Sequence, residues 1–257
     1  MVYSARNIES FMKFALAISQ INFMPKNYRE LYHSLLLQKK ESITHVIIIK
    51  NRDIKLLKQI LSLLSVGAWR LGFQLLLNTM TSFLKFEAKI FLNYGAKIIY
   101  CNSINDKEVI EKLHHSDLDI ILNLRTRCIF KDKILNLPKL GCFNLHHGLL
   151  PQDKGIFCDL WAIYNNRTPG ITIHKMTNKI DQGAIVSQTK ISAKKNYLKY
   201  LKSTIKYEVE LISNFLLKIE KNGELPLMIE NKSEHVHFFK SPKIKDIIKM
   251  QIYGIRL

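Results

Sequence analysis

The 257-residue chain is poor in glycine, proline, cysteine and, above all, acidic residues. Its 10 glycines and 6 prolines are too few for a collagenous or low-complexity chain. Its 47% hydrophobic and 23% charged residues describe a globular chain rather than a disordered one. The four cysteines, Cys101, Cys128, Cys142 and Cys158, are scattered without a Cys-x-x-Cys pair. That excludes a disulfide-stapled scaffold and reads as reduced thiols in a cytoplasmic protein. Phe11 to Phe23 is apolar only in patches, broken by Lys13, Ser19, Gln20 and Asn22, and no small-residue cleavage site follows. No secretory signal is expected there. A clean apolar run of about 18 residues, enough to span a bilayer, is also missing. The most apolar stretch, Ile54 to Phe86, contains Lys55, Lys58, Arg70 and Lys85. It reads as helices packed on a sheet, with a cationic amphipathic helix on a membrane surface as the alternative. Against 39 Lys and Arg stand only 21 Asp and Glu, a formal charge of +18. That surplus points to anionic partners: nucleic acid, a membrane surface, or a phosphorylated or carboxylated small molecule.

What is present is a sequence of short apolar runs of the kind buried on both faces of a sheet. They are Ile43–Ile49, Ala96–Tyr100, Leu118–Leu124 and Gly141–His146. Helical patterns lie between them, one with Asn105 as its expected cap and Glu108 as capping-box partner, and with Val109, Ile110 and Leu113 on its apolar face. Alternating strands and helices predict an α/β fold with a doubly wound, mostly parallel sheet. Gly170–Met176 and Gly183–Thr189 then alternate in period two and predict an antiparallel edge. Asn196 to Glu220 carries a helical stripe through Leu198, Leu201, Ile205, Val209, Ile212 and Leu216, with Gly223 as its C-terminal stop. The length suits one large domain or one domain with a small appendage. The chain is divided as a catalytic domain, 1–190, and a helical and irregular extension, 191–257, packed on it.

In such sheets ligands bind beyond the carboxyl ends of the strands. At the end of the fourth run stands Asn144-Leu145-His146-His147-Gly148-Leu149-Leu150-Pro151. Asn144 and His146 are two apart and share a face of a strand. Downstream lies Asp181-Gln182-Gly183. An amide, an imidazole and a carboxylate together suit acyl transfer: the amide holds an oxyanion, the imidazole moves protons, and the carboxylate orients it. No Ser or Cys occupies a nucleophile elbow, so the nucleophile is expected to be the substrate's own amine. Cys142, His146, His147 and His174 lack the spacing of a structural zinc site, and no metal is expected. Trp161 is expected to pack a helix against the sheet.

These blocks resemble the formyltransferases that use 10-formyltetrahydrofolate. The hallmark is Asn-x-His, a small residue with Leu-Leu-Pro, a Thr-x-His-x-Met-like strand and Asp-x-Gly. This chain supplies them as Asn144-x-His146, Gly148-Leu149-Leu150-Pro151, Thr172-Ile173-His174-Lys175-Met176 and Asp181-x-Gly183. The resemblance implies a Rossmann-like formyltransferase core with Asn144, His146 and Asp181 catalytic. Asn144 and a protonated His146 would hold the oxyanion, and Asp181 would tune His146. It further implies a folate site at Asn123, Leu124, Arg125, Arg127 and Asp181, and a substrate loop of His147, Gly148, Leu149, Leu150, Pro151 and Lys154. His147-Gly148 replaces the more frequent Pro-Ser, and Gln152-Asp153-Lys154-Gly155 replaces a Tyr-Arg-Gly element. No glycine-rich phosphate loop occurs between Ile43 and Asp53. With only 67 residues expected after Lys190, a further C-terminal barrel for tRNA is not anticipated. The partners implied are folate and an anionic small-molecule amine on a nucleotide-linked sugar, as in lipopolysaccharide biosynthesis. No stable nucleic-acid complex is implied, and the basic C-terminal segment leaves peripheral membrane contact open.

Overall fold

A computed structural model describes residues 12–22, 24–51, 53–126 and 128–257. Its first half runs β1 (Phe14–Ser19), α1 (Pro25–Lys39), β2 (Ile43–Ile49), α2 (Ile54–Ser65), α3 (Trp69–Thr81), α4 (Phe86–Asn93), β3 (Lys97–Cys101), α5 (Lys107–His114) and β4 (Ile120–Leu124). It continues with α6 (Asp132–Leu135), β5 (Gly141–His146), β6 (Asp153–Gly155), α7 (Cys158–Tyr164), β7 (Gly170–Lys175), β8 (Ile185–Lys190), α8 (Tyr197–Asn222), β9 (His237–Phe239) and α9 (Ile244–Ile252).

Seven strands form one sheet in the order β3-β2-β1-β4-β5-β7-β8. The pairs from β3 through β5 are parallel, and β7 and β8 add the antiparallel edge. The strand order reverses at β1 and β4, which opens a crevice at their carboxyl ends. The strand expectations hold to within a residue or two at most ends. β1, however, the middle one of the five parallel strands, is not anticipated from the sequence. In the sequence the segment from Phe11 reads only as apolar patches without a secretory signal, and Phe11 and Phe23 lie outside the described residues. Within it Phe14–Ser19 is buried at every position. Phe14, Leu16 and Ile18 enter the core layer shared with α1, α4 and α8. Ala15 and Ala17 enter the opposite layer with α5 and α6. Such two-sided burial is why its pattern is continuous rather than alternating.

The Asn105 cap does not form. α5 begins at Lys107 with Asp106 as its N-cap. Asn105 instead reaches a distant loop: its amide donates to Ile129 O and accepts from Lys131 N. A polar side chain competent to cap has been recruited for a long-range tie. α8 keeps both of its expected ends. Asn196 accepts from Lys199 N, and Gly223, at φ 72°, closes the helix through its N–H to Ile219 O.

The C-terminal segment is woven into the molecule. β9 pairs with β6, and Ile229 bridges Ile185. Trp161 stacks on Phe239 with ring centroids 5.7 Å apart and donates its indole N–H to Lys240 O. It therefore ties α7 to β9 while also packing against the core layer that includes Ile171 of β7. Among the described residues no helix is long and apolar enough to cross a membrane.

Candidate active site

Strand register assembles the site. β4 pairs with β5 so that Asn123 lies opposite Asn144, and β5 pairs with β7 so that Asn144 lies opposite His174. Three polar side chains thus form one row across the carboxyl end of the sheet. His146, two residues past Asn144, stands opposite Thr172.

The hydrogen bonds along this row have a determined direction, because both ends are backbone groups. Thr126 N–H donates to Asn123 Oδ1, and Asn123 Nδ2 donates to Asn144 Oδ1 at 2.9 Å. Asn144 Nδ2 then donates to His174 Nε2 at 3.1 Å, and His174 Nδ1–H donates to Lys175 O. A carbonyl can only accept, so His174 carries its proton on Nδ1. The same rule applies to His146. Its Nε2 lies 2.7 Å from Asp153 O and must carry the proton, which leaves Nδ1 to face Asp181 Oδ1 at 3.6 Å. Asp181 Oδ1 is also 3.5 Å from His174 Nε2, and its Oδ2 accepts from Gly155 N–H.

Burial lowers the His146 pKa below the ordinary histidine value, and Asp181 opposes that shift without overcoming it. At neutral pH the imidazole is therefore neutral. For Asp181, burial works against the charge, but the facing His174 and His146 rings and the Gly155 N–H outweigh it and hold the carboxyl below its ordinary range. Asp181 sits at φ 51°, a left-handed conformation that Asp tolerates well.

Two glycines are explained by close approach. A Cβ on Gly148 would lie 2.5 Å from His146 Nε2 and 2.8 Å from Asp153 O, across the hydrogen bond those atoms make. A Cβ on Gly183 would lie 1.8 Å from Lys175 O, so only glycine lets the Asp-x-Gly turn close on β7.

The remaining expected site residues are dispersed. Leu124 is in the core layer beneath α1. Arg125 turns toward the Tyr28 ring, 5.6 Å away. Arg127 lies outside the described residues. The Gly148–Pro151 loop is pinned by Thr172, whose hydroxyl donates to Gly148 O and accepts from Leu150 N. Leu150 is buried, and Leu149 packs over the Gly170 backbone. Lys154 is buried on β6, at the edge of a depression shared with Gln182, Asn231, Lys232 and Phe238.

His147, being the next residue along β5's line, turns the other way and is buried behind the site. Its Nδ1 is 3.2 Å from Asp159 Oδ2, and its Nε2 is 3.2 Å from Glu208 Oε1. The second contact is off the N–H axis and is ionic rather than a directed hydrogen bond. Burial and Arg125 disfavour its charge, yet Glu208 and Asp159 outweigh them and raise its pKa.

Sequence alternation puts His174 on a strand and marks no role for it; only its pairing opposite Asn144 brings it to Asp181. Asp153, Gly155 and Asn231 also had no local signal. Asn231 Nδ2 donates to both Asp181 O and Gly183 O from the C-terminal segment. Among the described residues no group of three or more His, Cys, Asp or Glu could hold a metal ion.

Residues 76–212 match the family model described as formyl transferase. The chain belongs to the formyl transferase family. It is 35% identical over 147 residues to the bifunctional polymyxin resistance protein ArnA of Wigglesworthia glossinidia brevipalpis, covering 56% of this chain and 21% of that protein. It is 32% identical over 154 residues to the methionyl-tRNA formyltransferase of Thermotoga neapolitana, covering 59% of this chain and 48% of that protein. The chain thus spans about half, or less, of the length of these curated relatives. Its fold matches a sugar N-formyltransferase from Shewanella sp FDAARGOS_354 with a TM-score of 0.55 at 16% identity, over 93% of this chain and 87% of that one. The family match contains the whole polar row, Asn123 through Asp181. It leaves out β1, α1, β2, α2, β9 and α9.

Proposed function

We propose that this family member transfers a formyl group from 10-formyltetrahydrofolate to a primary amine, carried by a nucleotide-linked amino sugar. The observation that carries the reading is the directed chain from Thr126 N–H to Lys175 O. It uses one Nδ2 hydrogen of Asn144 on His174 and leaves the other for a ligand. Asn144 is also the one partly exposed member of the quartet it forms with His146, His174 and Asp181.

The residues fit a folate. Thr126 Oγ1, just beyond β4, is buried without a hydrogen-bond partner, as a group awaiting a polar ligand would be. Asn123 fixes the backbone there through Thr126 N–H. Bound at that strand end, the folate would supply its N-formyl group as the electrophile. Attack by the amine makes the new C–N bond and turns the formyl oxygen into an oxyanion. Asn144 donates its free amide hydrogen to that oxygen. Neutral His146 accepts the amine's proton at Nδ1, and the Asp181 carboxylate stabilises the imidazolium so formed. The same proton then passes to the departing folate nitrogen as the old C–N bond breaks.

The amine class rests on the depression beside Asp181. Lys154 and Phe238 offer a cation and an aromatic face to an anionic, ring-bearing substrate. Lys232 is shared with Glu230 at 2.5 Å. The matched Shewanella fold carries the name of a sugar N-formyltransferase. Both substrates are soluble small molecules, which suits a cytoplasmic enzyme. The charge of +18 favours a second reading, an aminoacyl-tRNA acceptor.

Incubation with 10-formyltetrahydrofolate and a panel of nucleotide amino sugars, with methionyl-tRNA in parallel, separates the two readings by the formylated product. Asn144→Ala and His146→Ala are each expected to slow transfer by about 10²–10³-fold. Transfer by the parent to none of these amines, or full activity in His146→Ala, defeats the proposal.

A further inference from the structure

Beneath α2, α3 and α9 lies one core cluster that receives an inner face from each: Leu56 and Ile60, Leu71 and Leu75, Ile247 and Met250. α2 and α3 form a tight hairpin, in which a Cβ on Gly72 would lie 2.8 Å from the Leu64 side chain. α9 adjoins the turn of that hairpin, since a Cβ on Gly67 would lie 4.0 Å from the Gln251 amide. Each of the three neighbouring helices turns one face into this core and keeps the opposite face toward solvent.

Those outward faces are apolar. Leu57 and Leu61 of α2 are 49% and 57% exposed; Trp69 and Phe73 of α3 are 66% and 57% exposed. On α9, Ile248 and Ile252 are 45% and 78% exposed at helical spacing. Interspersed are the exposed cations Lys58, Arg70, Lys245 and Lys249. From Ile54 to Phe86 there is no Asp or Glu. The two acids at these helices are Asp53 and Asp246, and both are committed to N-termini, accepting from Leu56 N and Lys243 N. Exposed apolar helix faces interspersed with cations that have no ion-pair partner among the described residues are unusual on a protein surface.

We propose that α2, α3 and α9 form a docking surface for an anionic lipid bilayer. Leu, Phe and Ile side chains enter the headgroup boundary, Trp69 sits at the interface, and the lysines and Arg70 meet acidic headgroups. Charge selects this occupant. A second copy would bring the same cations face to face, with no acids to neutralise them. Nucleic acid would satisfy the cations but leave the Leu, Trp and Phe side chains without a use. The inference is independent of the formyl-transfer reading, since none of these residues belongs to the polar row.

The test mixes the full chain with vesicles of phosphatidylcholine alone, or of an equimolar phosphatidylcholine–phosphatidylglycerol mixture, at low and high salt. Co-sedimentation with the anionic vesicles is expected at low salt and should weaken as salt rises. Lys245→Gln and Lys249→Gln should each lower partitioning about fivefold. The pair Trp69→Ser and Phe73→Ser should lower it at least ~10-fold. All four alter exposed side chains, and an unchanged urea midpoint shows that the fold is intact. With Trp161→Phe, Trp69 is the remaining tryptophan of the two in the chain, and its emission should shift blue on anionic vesicles. Absence of co-sedimentation overturns the proposal, as does equal binding to phosphatidylcholine alone. So does binding that survives loss of Trp69 and Phe73, or lipid-free dimerisation that Phe73→Ser abolishes.

Discussion

Replacing His147 by Leu tests the buried ionic cluster behind the site. Asp159 is 1% exposed and Glu208 0%, and each stands 3.2 Å from one nitrogen of His147. Arg125 adds a second cation nearby, so the cluster is close to neutral with His147 charged. Leucine nearly fills the volume but removes one positive charge, and two desolvated carboxylates then share the remaining cation. Breaking a buried pair in this way costs about 3–5 kcal/mol. The pH dependence gives a sharper signature. His147 is raised above the value of about 6.5 it has when unfolded. Its contribution to stability is therefore complete below that pH and lost as pH rises through the raised folded value. Asp159 and Glu208 are lowered, so their contribution is present at neutral pH and lost as pH falls through the lowered values. In His147→Leu, burial is no longer offset and the carboxylates take up protons at higher pH. Between pH 6.5 and 5 the parent gains nothing more from His147, whereas the variant gains up to ~1.4 kcal/mol per pH unit. Urea unfolding followed by circular dichroism across that range should show the gap narrowing toward acid. A loss below about 1 kcal/mol at pH 7, or a gap that stays constant or widens on acidification, would refute a charged His147.

Three further outcomes follow from the site. Formyl transfer should be flat in pH above the ordinary histidine value near 6.5 and fall below it, because His146 must be neutral to accept a proton and burial lowers its pKa. In Asp181→Asn the residual kcat/KM should have its acid limb moved to still lower pH, since the carboxylate that supports the imidazolium is gone. A limb that moves up instead removes His146 as the base. Gly183→Ala, which brings a methyl group against Lys175 O, should destabilise by about 1–3 kcal/mol and slow transfer by displacing Asp181; an unchanged urea midpoint contradicts the close approach.

Much of the fold was legible because burial leaves a periodic record. β2, β5, β7 and α8 appear in the sequence with nearly their observed limits, since each has either a continuous apolar run or a 3.6-residue stripe bounded by a cap. β1 was not legible. Phe-Ala-Leu-Ala-Ile-Ser is short, and its small alanines face a crowded helical layer, so its pattern does not stand out from an interrupted leader. Asn105 shows a different limit: capping chemistry is local, but the loop that claims its amide lies more than twenty residues away.

By itself the sequence determined the class of sheet, the antiparallel turn after Gly170 and the set Asn144, His146 and Asp181. Side-chain periodicity and motif spacing are properties of the chain alone. Only the tertiary structure decided protonation and partnership. It set His174 opposite Asn144 through strand register, and it used Asp153 O, Gly155 N–H and Asn231, brought from β6 and the C-terminal segment, to hold His146 and the Asp181 turn. It also turned His147 away from the cleft and, by burial, lowered the pKa of His146. The physical reason is that pKa values and hydrogen-bond direction depend on burial and on which groups face each other, and neither is written in spacing.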